Sequence, residues 1–322
     1  MNSIIHQFNK NNKILVVTHA HPDGDAIGSL IALGLSLEAL NKKTTLYCES
    51  HIPAIYRFLP AVHRVVNKIE SLNYDMAVIL DCGNLRRVGK AVSMVNQIPV
   101  IVNIDHHITN TGFGHLQLID TSACATAEIV YRLIKKMGLP IDEPIATSIY
   151  TGILADTGSF RFSNTNRAAF AICEEMVGIG VHPHNIAQHV YGTYSLSRLK
   201  LLNLALDSIE LSENGKLSIM TLTKEMFDET HTQPEDVDGL INYAKNIEDV
   251  EVAALIQEPH NGKEKSRTPN RFHVSLRSDG TFDVAAIASL FGGGGHSGAA
   301  GFSIESTLSD IKSNIFSLAD KI

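Results

Sequence analysis

Tryptophan is absent from the 322 residues, and aromatic side chains make up only 6% of them. A protein that stacks the bases of long single strands needs more ring surface than that. Surplus basic charge is missing too, with 27 Lys and Arg against 34 Asp and Glu for a net charge of -7. Coating of long DNA or RNA draws on excess Lys and Arg, so that class is excluded. Cysteine is scarce: Cys48, Cys82, Cys124 and Cys173 form no CxxC pair. Reduced cysteines used as small apolar side chains are expected, without disulfides or a cysteine-held zinc. No apolar run reaches the roughly 18 residues of a membrane span. The opening MNSIIHQFNKNNK lacks the apolar core of a signal peptide. A cytoplasmic protein with no membrane partner is expected.

What is present fits a globular chain, 44% hydrophobic and 19% charged, long enough for two domains. The charge divides unevenly. Residues 1–190 hold 15 basic and 15 acidic side chains and 11 of the 15 His, whereas residues 191–322 hold 12 basic and 19 acidic. Two domains with different tasks are expected: residues 1–190, a helical linker at 191–206, and residues 207–322.

In the first part, short β-branched apolar runs at 13–19 (KILVVTH), 44–48, 76–81 (MAVILD) and 99–104 (PVIVNI) read as buried strands. Apolar spacing predicts helices at 26–40, 123–137, 144–154, 167–179 and 184–191. Alternation of this kind implies an α/β fold with a parallel sheet and helices on both faces. Ligands of such sheets bind beyond the carboxyl ends of the strands. In the second part, 217–221, 250–257 and 271–277 read as strands, 284–290 as a helix and 291–296 as a glycine-rich loop.

Ionisable residues gather at those strand ends. HAHPDGD, after the first strand, packs His19, His21, Asp23 and Asp25 into seven residues. Alone this is equally a surface turn or a metal loop. The other strand ends tip the balance. Asp81 closes MAVILD, Asp105-His106-His107 follows PVIVNI, and Asp156 sits in ADTGS. Burying so many charges together requires a compensating cation. Mixed imidazole and carboxylate donors suit a divalent transition ion, and a two-ion site suits phosphoryl transfer.

HxxxDxD, a strand-end Asp, DHH and DTGSF occur in that order between Thr18 and Phe160. This set resembles the four motifs of the DHH phosphoesterase superfamily, which includes RecJ-type nucleases, family II pyrophosphatases and short NrnA-type oligoribonucleases. The resemblance implies that His19 and Asp23 hold one metal ion, Asp25, His106 and Asp156 a second, and that Asp81 bridges them. Two Mn²⁺ are implied, with Mg²⁺ or Co²⁺ as alternatives. It also implies that His107 faces the substrate and protonates or stabilises the leaving oxygen, with Asp105 orienting its neighbours. His21 has no such role. Ser122, Thr126 and Glu128 read mainly as helix capping, and Arg87 mainly as an exposed helix-end side chain.

SLRSDG, DVAAIASLFGGGGH and AAGF resemble the DHH-associated domain, a smaller α/β unit that faces the first across a cleft and grips one end of a short oligonucleotide. Arg277, Gly293, Gly294, Gly295 and His296 are the implied substrate contacts. The glycine loop argues against a pyrophosphatase, and the length leaves no room for the added strand-binding fold of a processive exonuclease. The expected activity is hydrolysis of short oligoribonucleotides, dinucleotides such as pApA or pGpG included, to mononucleotides, with dephosphorylation of 3′-phosphoadenosine 5′-phosphate (pAp) alongside. Cyclic di-AMP hydrolysis is the alternative, and a non-catalytic nucleotide sensor a more distant one. Exposed edge strands are compatible with a homodimer.

Overall fold

The computed structural model describes residues 1–70, 73–192, 194–258, 271–278, 280–319 and 322, with the side chains at 234, 235 and 296 excepted. The chain divides into two compact units, Met1–Thr193 and Tyr194–Ile322.

In the first unit six strands are all parallel: β1 Lys13–Val17, β2 Lys43–Tyr47, β3 Val65–Val66, β4 Met76–Leu80, β5 Val100–Asp105 and β6 Leu116–Ile119. Their order is β3-β2-β1-β4-β5-β6. The chain builds outward from β1 in one direction, then returns to β1's other side through β4. That reversal leaves a crevice at the carboxyl ends of β1 and β4, where doubly wound sheets hold ligands. All five residues of β4 are buried, because both sheet faces are covered.

The helices are α1 Asn2–Lys10, α2 Gly24–Glu38, α3 Val92–Val95, α4 Thr126–Met137, α5 Glu143–Asp156, α6 Arg167–Ile179 and α7 Pro183–Tyr191. Alternate strand residues separate the two cores. Ile14, Val16, Val78 and Ile104 pack beneath α2, α4 and α5, whereas Leu15, Val17, Ala77 and Ile79 meet Val88, Val95 and Ile98 around α3. The second face is thus closed by a 3-10 helix, Leu85–Ala91, and by one turn of α3.

Close helix approach sets the site. A Cβ placed on Gly28 would meet the Ser148 carbonyl at 2.4 Å. One placed on Gly152 would lie 2.7 Å from Ala127 Cβ and 3.0 Å from Asp25 Oδ1. Glycine at these two positions lets α2, α4 and α5 meet around Asp25. Gly152→Ala is expected to cost about 1–3 kcal/mol through overpacking. Urea unfolding measures it, and an unchanged midpoint would remove this contact as a determinant of the site.

In the second unit the order is β11-β12-β10-β9-β8-β7. The strands are β7 Glu210–Leu211, β8 Leu217–Leu222, β9 Val252–Gln257, β10 Arg271–Ser278, β11 Gly294–His296 and β12 Ala299–Glu305. Only β8 and β9 pair in parallel. The helices are α8 Leu196–Asp207, α9 Lys224–Thr230, α10 Ile241–Lys245, α11 Val284–Leu290 and α12 Leu308–Phe316. Leu201 and Ala205 of α8 are buried among Met220, Leu222 and Phe227, so this helix packs as part of the unit. Val284 and Ile287 of α11 and Ile311 of α12 cover the opposite face. Residues 291–296 are not simply a loop, since Gly294–His296 forms a strand paired with β12. Among the described residues no helix is long and apolar enough to cross a membrane.

Candidate active site

β1 delivers His19 just past its end. Thr18 Oγ1 donates to the Leu80 carbonyl at 3.2 Å, which ties the ends of β1 and β4 together. His19 Nδ1 faces the Ala20 carbonyl at 2.9 Å, so Nδ1 carries the proton and Nε2 the lone pair. Asp23 caps α2, accepting from Ala26 N at 2.9 Å, and leaves one carboxylate oxygen outward.

Asp25 sits in the first turn of α2 and is fully buried. It accepts from Thr126 N at 2.6 Å, Ala127 N at 2.8 Å and Ser29 Oγ at 3.1 Å. The first turn of α4 thus aims its N–H groups at this carboxylate. Burial nonetheless pushes the Asp25 carboxyl well above its ordinary range, with the Asp81 and Asp156 charges adding to it.

Asp81 follows β4 with φ +57°, a left-handed conformation that Asp adopts more readily than most residues. Its Oδ1 accepts from Thr126 Oγ1 at 3.0 Å and lies 3.7 Å from His106 Nε2. Its Oδ2 lies 3.3 Å from His19 Nε2. Burial opposes the charge on Asp81, yet His19, His107 and His106 outweigh it and hold the carboxyl far below its usual range.

β5 carries the third group. His106 Nδ1 faces the Ala123 carbonyl at 3.3 Å, and Nε2 stands 3.5 Å from Asp156 Oδ2. Burial works against the charged imidazole, but Asp156, Asp25, Asp81 and Asp105 lift its pKa to about 9. Asp156, the last residue of α5, is pushed up to about 7 by burial. Asn164 Nδ2 holds it, donating to its carbonyl at 3.0 Å and to Oδ2 at 3.2 Å.

Three trios therefore form: His19, Asp23 and Asp81; Asp25, His106 and Asp156; and Asp81, His106 and His107. Within each, one ligand atom per residue lies within 4.8 Å of the others. Buried His19 Nε2 makes no well-aligned hydrogen bond among the described residues, with Asp81 Oδ2 3.3 Å away. An orphaned imidazole lone pair facing crowded carboxylates fits a divalent cation, which would satisfy the lone pair and neutralise the carboxylates together.

His107 is placed differently. Its Nδ1 lies 2.6 Å from Asp105 Oδ1, and Arg87 Nη1 lies 3.1 Å from its Nε2. Arginine can only donate, so Nε2 accepts and Nδ1–H donates to Asp105. Asp105 is fully buried and also accepts from Asn110 Nδ2. His21 joins none of the trios; it is exposed, and its N–H donates to Ser50 Oγ at 3.0 Å. Cavities of about 640 and 730 Å³ at the β2–β3 edge contain none of these ligand candidates.

Around these candidates, sequence reasoning undervalued Thr126 and Arg87 and missed Asn110 and Asn164. Thr126 is buried with its hydroxyl on Asp81, and the N-cap position of α4 belongs to Ala125. Ser122 and Glu128 do hold local structure: Ser122 Oγ donates to Asp120 at 2.6 Å, and Glu128 accepts from Cys124 N at 2.9 Å.

In the second unit Arg277 of β10 and His296 of β11 stand in one row of the sheet, both paired with Ala299. The His296 side chain and residues 259–270, which precede β10, lie outside the described residues. Arg277 Nη1 donates to the Leu276 carbonyl at 2.9 Å, and the Asp238 carboxylate acts on the guanidinium electrostatically. A Cβ on Gly293 would meet the Gly301 carbonyl at 2.2 Å, and one on Gly295, at φ +151°, the Ala299 carbonyl at 2.4 Å. The hairpin itself demands those two glycines. Gly294, like Gly292, has open space where a Cβ would stand.

Residues 13–153 match the DHH family, N-terminal domain, and residues 215–321 the DHHA1 domain. A bifunctional oligoribonuclease and PAP phosphatase NrnA of Thermus thermophilus is 33% identical over 296 residues, spanning 91% of this chain and 84% of the relative. A probable manganese-dependent inorganic pyrophosphatase of Streptococcus thermophilus is 25% identical across 63% of this chain and 68% of its own length. The crystal structure of an exopolyphosphatase-related protein from Bacteroides fragilis superposes with a TM-score of 0.90 at 28% identity, covering 99% of this chain and 94% of that one.

Proposed function

This chain belongs to the DHH family, and from that premise we propose that it is a metal-dependent phosphoesterase that cuts short oligoribonucleotides to mononucleotides and removes a phosphate from pAp. The observation that carries the reading is Asp81, buried at the sheet's reversal point between His19 and His106, with Asp25 and Asp156 beside them. Chain-wide similarity to the Thermus NrnA supplies the substrate class. Manganese is the first choice of ion, supported by the name of the pyrophosphatase relative and by the mixed donors. Mg²⁺ and Co²⁺ are the alternatives.

His19, Asp23 and Asp81 would hold one ion, and Asp25, His106 and Asp156 a second, with Asp81 shared. Two such ions supply positive charge for the phosphate oxygens and lower the pKa of an attacking water. The protein's own groups supply the order. Thr126 Oγ1 fixes the Asp81 carboxylate, and the first N–H groups of α4 fix Asp25. Asp105 keeps one His107 proton on Nδ1 and stabilises the imidazolium, so a second proton taken up at Nε2 is the one passed to the leaving oxygen. Recognition of the other end of the substrate is assigned to Arg277, Gly293, Gly294, Gly295 and His296, with Gly294 the most open of the glycines.

The test is a panel of pAp, pApA, pGpG, cyclic di-AMP and RNAs of about 2 to 24 nucleotides with Mn²⁺. Linear dinucleotides and pAp are expected to turn over at typical enzymatic rates, about 1–10³ s⁻¹. The longest RNA and cyclic di-AMP should be far slower. Absence of Mn²⁺-stimulated turnover on every linear dinucleotide would overturn the proposal, and preference for cyclic di-AMP would reassign its substrate.

A further inference from the structure

We propose that Arg87 is a substrate contact, whose guanidinium binds a non-bridging oxygen of the phosphate being cleaved. The inference rests on the phosphoesterase reading and adds to it a group outside the metal and histidine set. Arg87 lies on the 3-10 helix Leu85–Ala91, directly after Asp81 and β4. Its backbone is pinned from two sides. The Arg87 carbonyl accepts from Ala20 N at 2.7 Å, and its N–H donates to the Asn84 carbonyl at 3.0 Å. Asn84 Oδ1 in turn accepts from Arg86 N at 2.8 Å. The base of the side chain is therefore fixed to the loop that carries His19.

The tip reaches the reacting groups, with Nη1 3.1 Å from His107 Nε2. A permanent cation in this neighbourhood would ordinarily pair with a carboxylate. Asp105 holds the other ring nitrogen of His107, yet among the described residues no carboxylate is in ion-pair contact with Arg87. Asp81 and Asp156 belong to the metal trios and Asp105 to His107 Nδ1, whereas Arg87 is exposed and meets the Nε2 edge of the ring. An arginine that reaches the His107 ring nitrogen also reaches whatever stands before it. Its fork carries five N–H donors, and among the described residues the one recorded side-chain bond is to His107. The remaining donors suit phosphate oxygens, for which a guanidinium is the matching planar partner. Arg87 thus supplies fixed positive charge at the Nε2 edge of His107, the edge away from Asp105.

The experiment compares Arg87→Lys and Arg87→Gln with the wild type. Mn²⁺ affinity is measured by calorimetry without nucleotide, then AMP affinity on the Mn²⁺-loaded protein, then kcat and KM on pApA. In Arg87→Gln, AMP affinity should fall and KM should rise about tenfold or more, as for a lost charge-assisted hydrogen bond. Arg87→Lys should recover part of both. Mn²⁺ affinity should stay within about twofold. A lower kcat with unchanged KM and AMP affinity would make Arg87 a prop for His107 and overturn the contact. A parallel fall in Mn²⁺ affinity would overturn it as well. If wild type turns over none of the linear dinucleotides, the phosphoesterase reading falls, whereas the AMP measurement still decides Arg87.

Discussion

Asp81→Asn should lower kcat on pApA by on the order of 10³-fold or more. The exchange keeps volume and shape, and Asn tolerates the left-handed backbone that residue 81 adopts at φ +57°. What it removes is one negative charge at the point where two of the three ligand trios meet. Calorimetry should show Mn²⁺ binding weakened at more than one site, while circular dichroism stays that of the wild type. Turnover near the wild-type rate in this variant would end the assignment of Asp81 as the shared ligand.

The second large effect concerns stability, metal and pH. Asp156 is lifted by burial from its ordinary 3.8 to about 7, so the folded protein keeps a proton there that the unfolded chain has released. Its stabilising share is present at low pH and is lost as pH rises through about 7. His106 is lifted from 6.5 to about 9, so its share is intact below 6.5 and lost as pH rises through about 9. Asp81 is depressed and behaves oppositely: its share is present above 3.8 and disappears only in acid. The metal-free protein should therefore lose stability on going from pH 5 to pH 9. Bound ions replace those protons and need the ligands deprotonated. Ion at about 100 times its Kd stabilises by about 2.7 kcal/mol, or roughly 5–10 °C in Tm for a unit of this size. The gain on adding Mn²⁺ should be clearly larger at pH 8 than at pH 5.5, and chelation should reverse it. Equal gains at both pH values would contradict the placement of Asp156 and His106 among the ligands.

The buried strands were legible because both sheet faces are covered. Full burial selects unbroken apolar β-branched runs, such as MAVIL in β4 and KILVV in β1. Elements that bury little were not legible. α1 buries only Ile4 and Phe8, and the four-residue edge strand β6 contains no fully buried residue. The short strand β11 hid inside a glycine run whose residues carry no burial pattern to read. Ligand candidates stood out because ionisable groups clustered where apolar strands stop. Their supports did not stand out. Thr126 reaches Asp81 across 45 residues, and Arg87 reaches His107 across 20. Neither residue type is unusual in its own local setting.

The sequence by itself determined which segments are buried and which charged groups share a place, because burial and ionisable chemistry are written in neighbouring residues. It also carried the motif order that marks the family. The tertiary structure alone decided which oxygen faces which nitrogen. It set the His107 proton on Nδ1, turned Thr126 from a cap into a hold on Asp81, and assigned Gly293 and Gly295 to a hairpin. The reason is that hydrogen-bond partners and steric limits arise when distant segments close on one another. At this site closure occurs where the sheet reverses between β1 and β4, a point set by strand order and by no local stretch of residues.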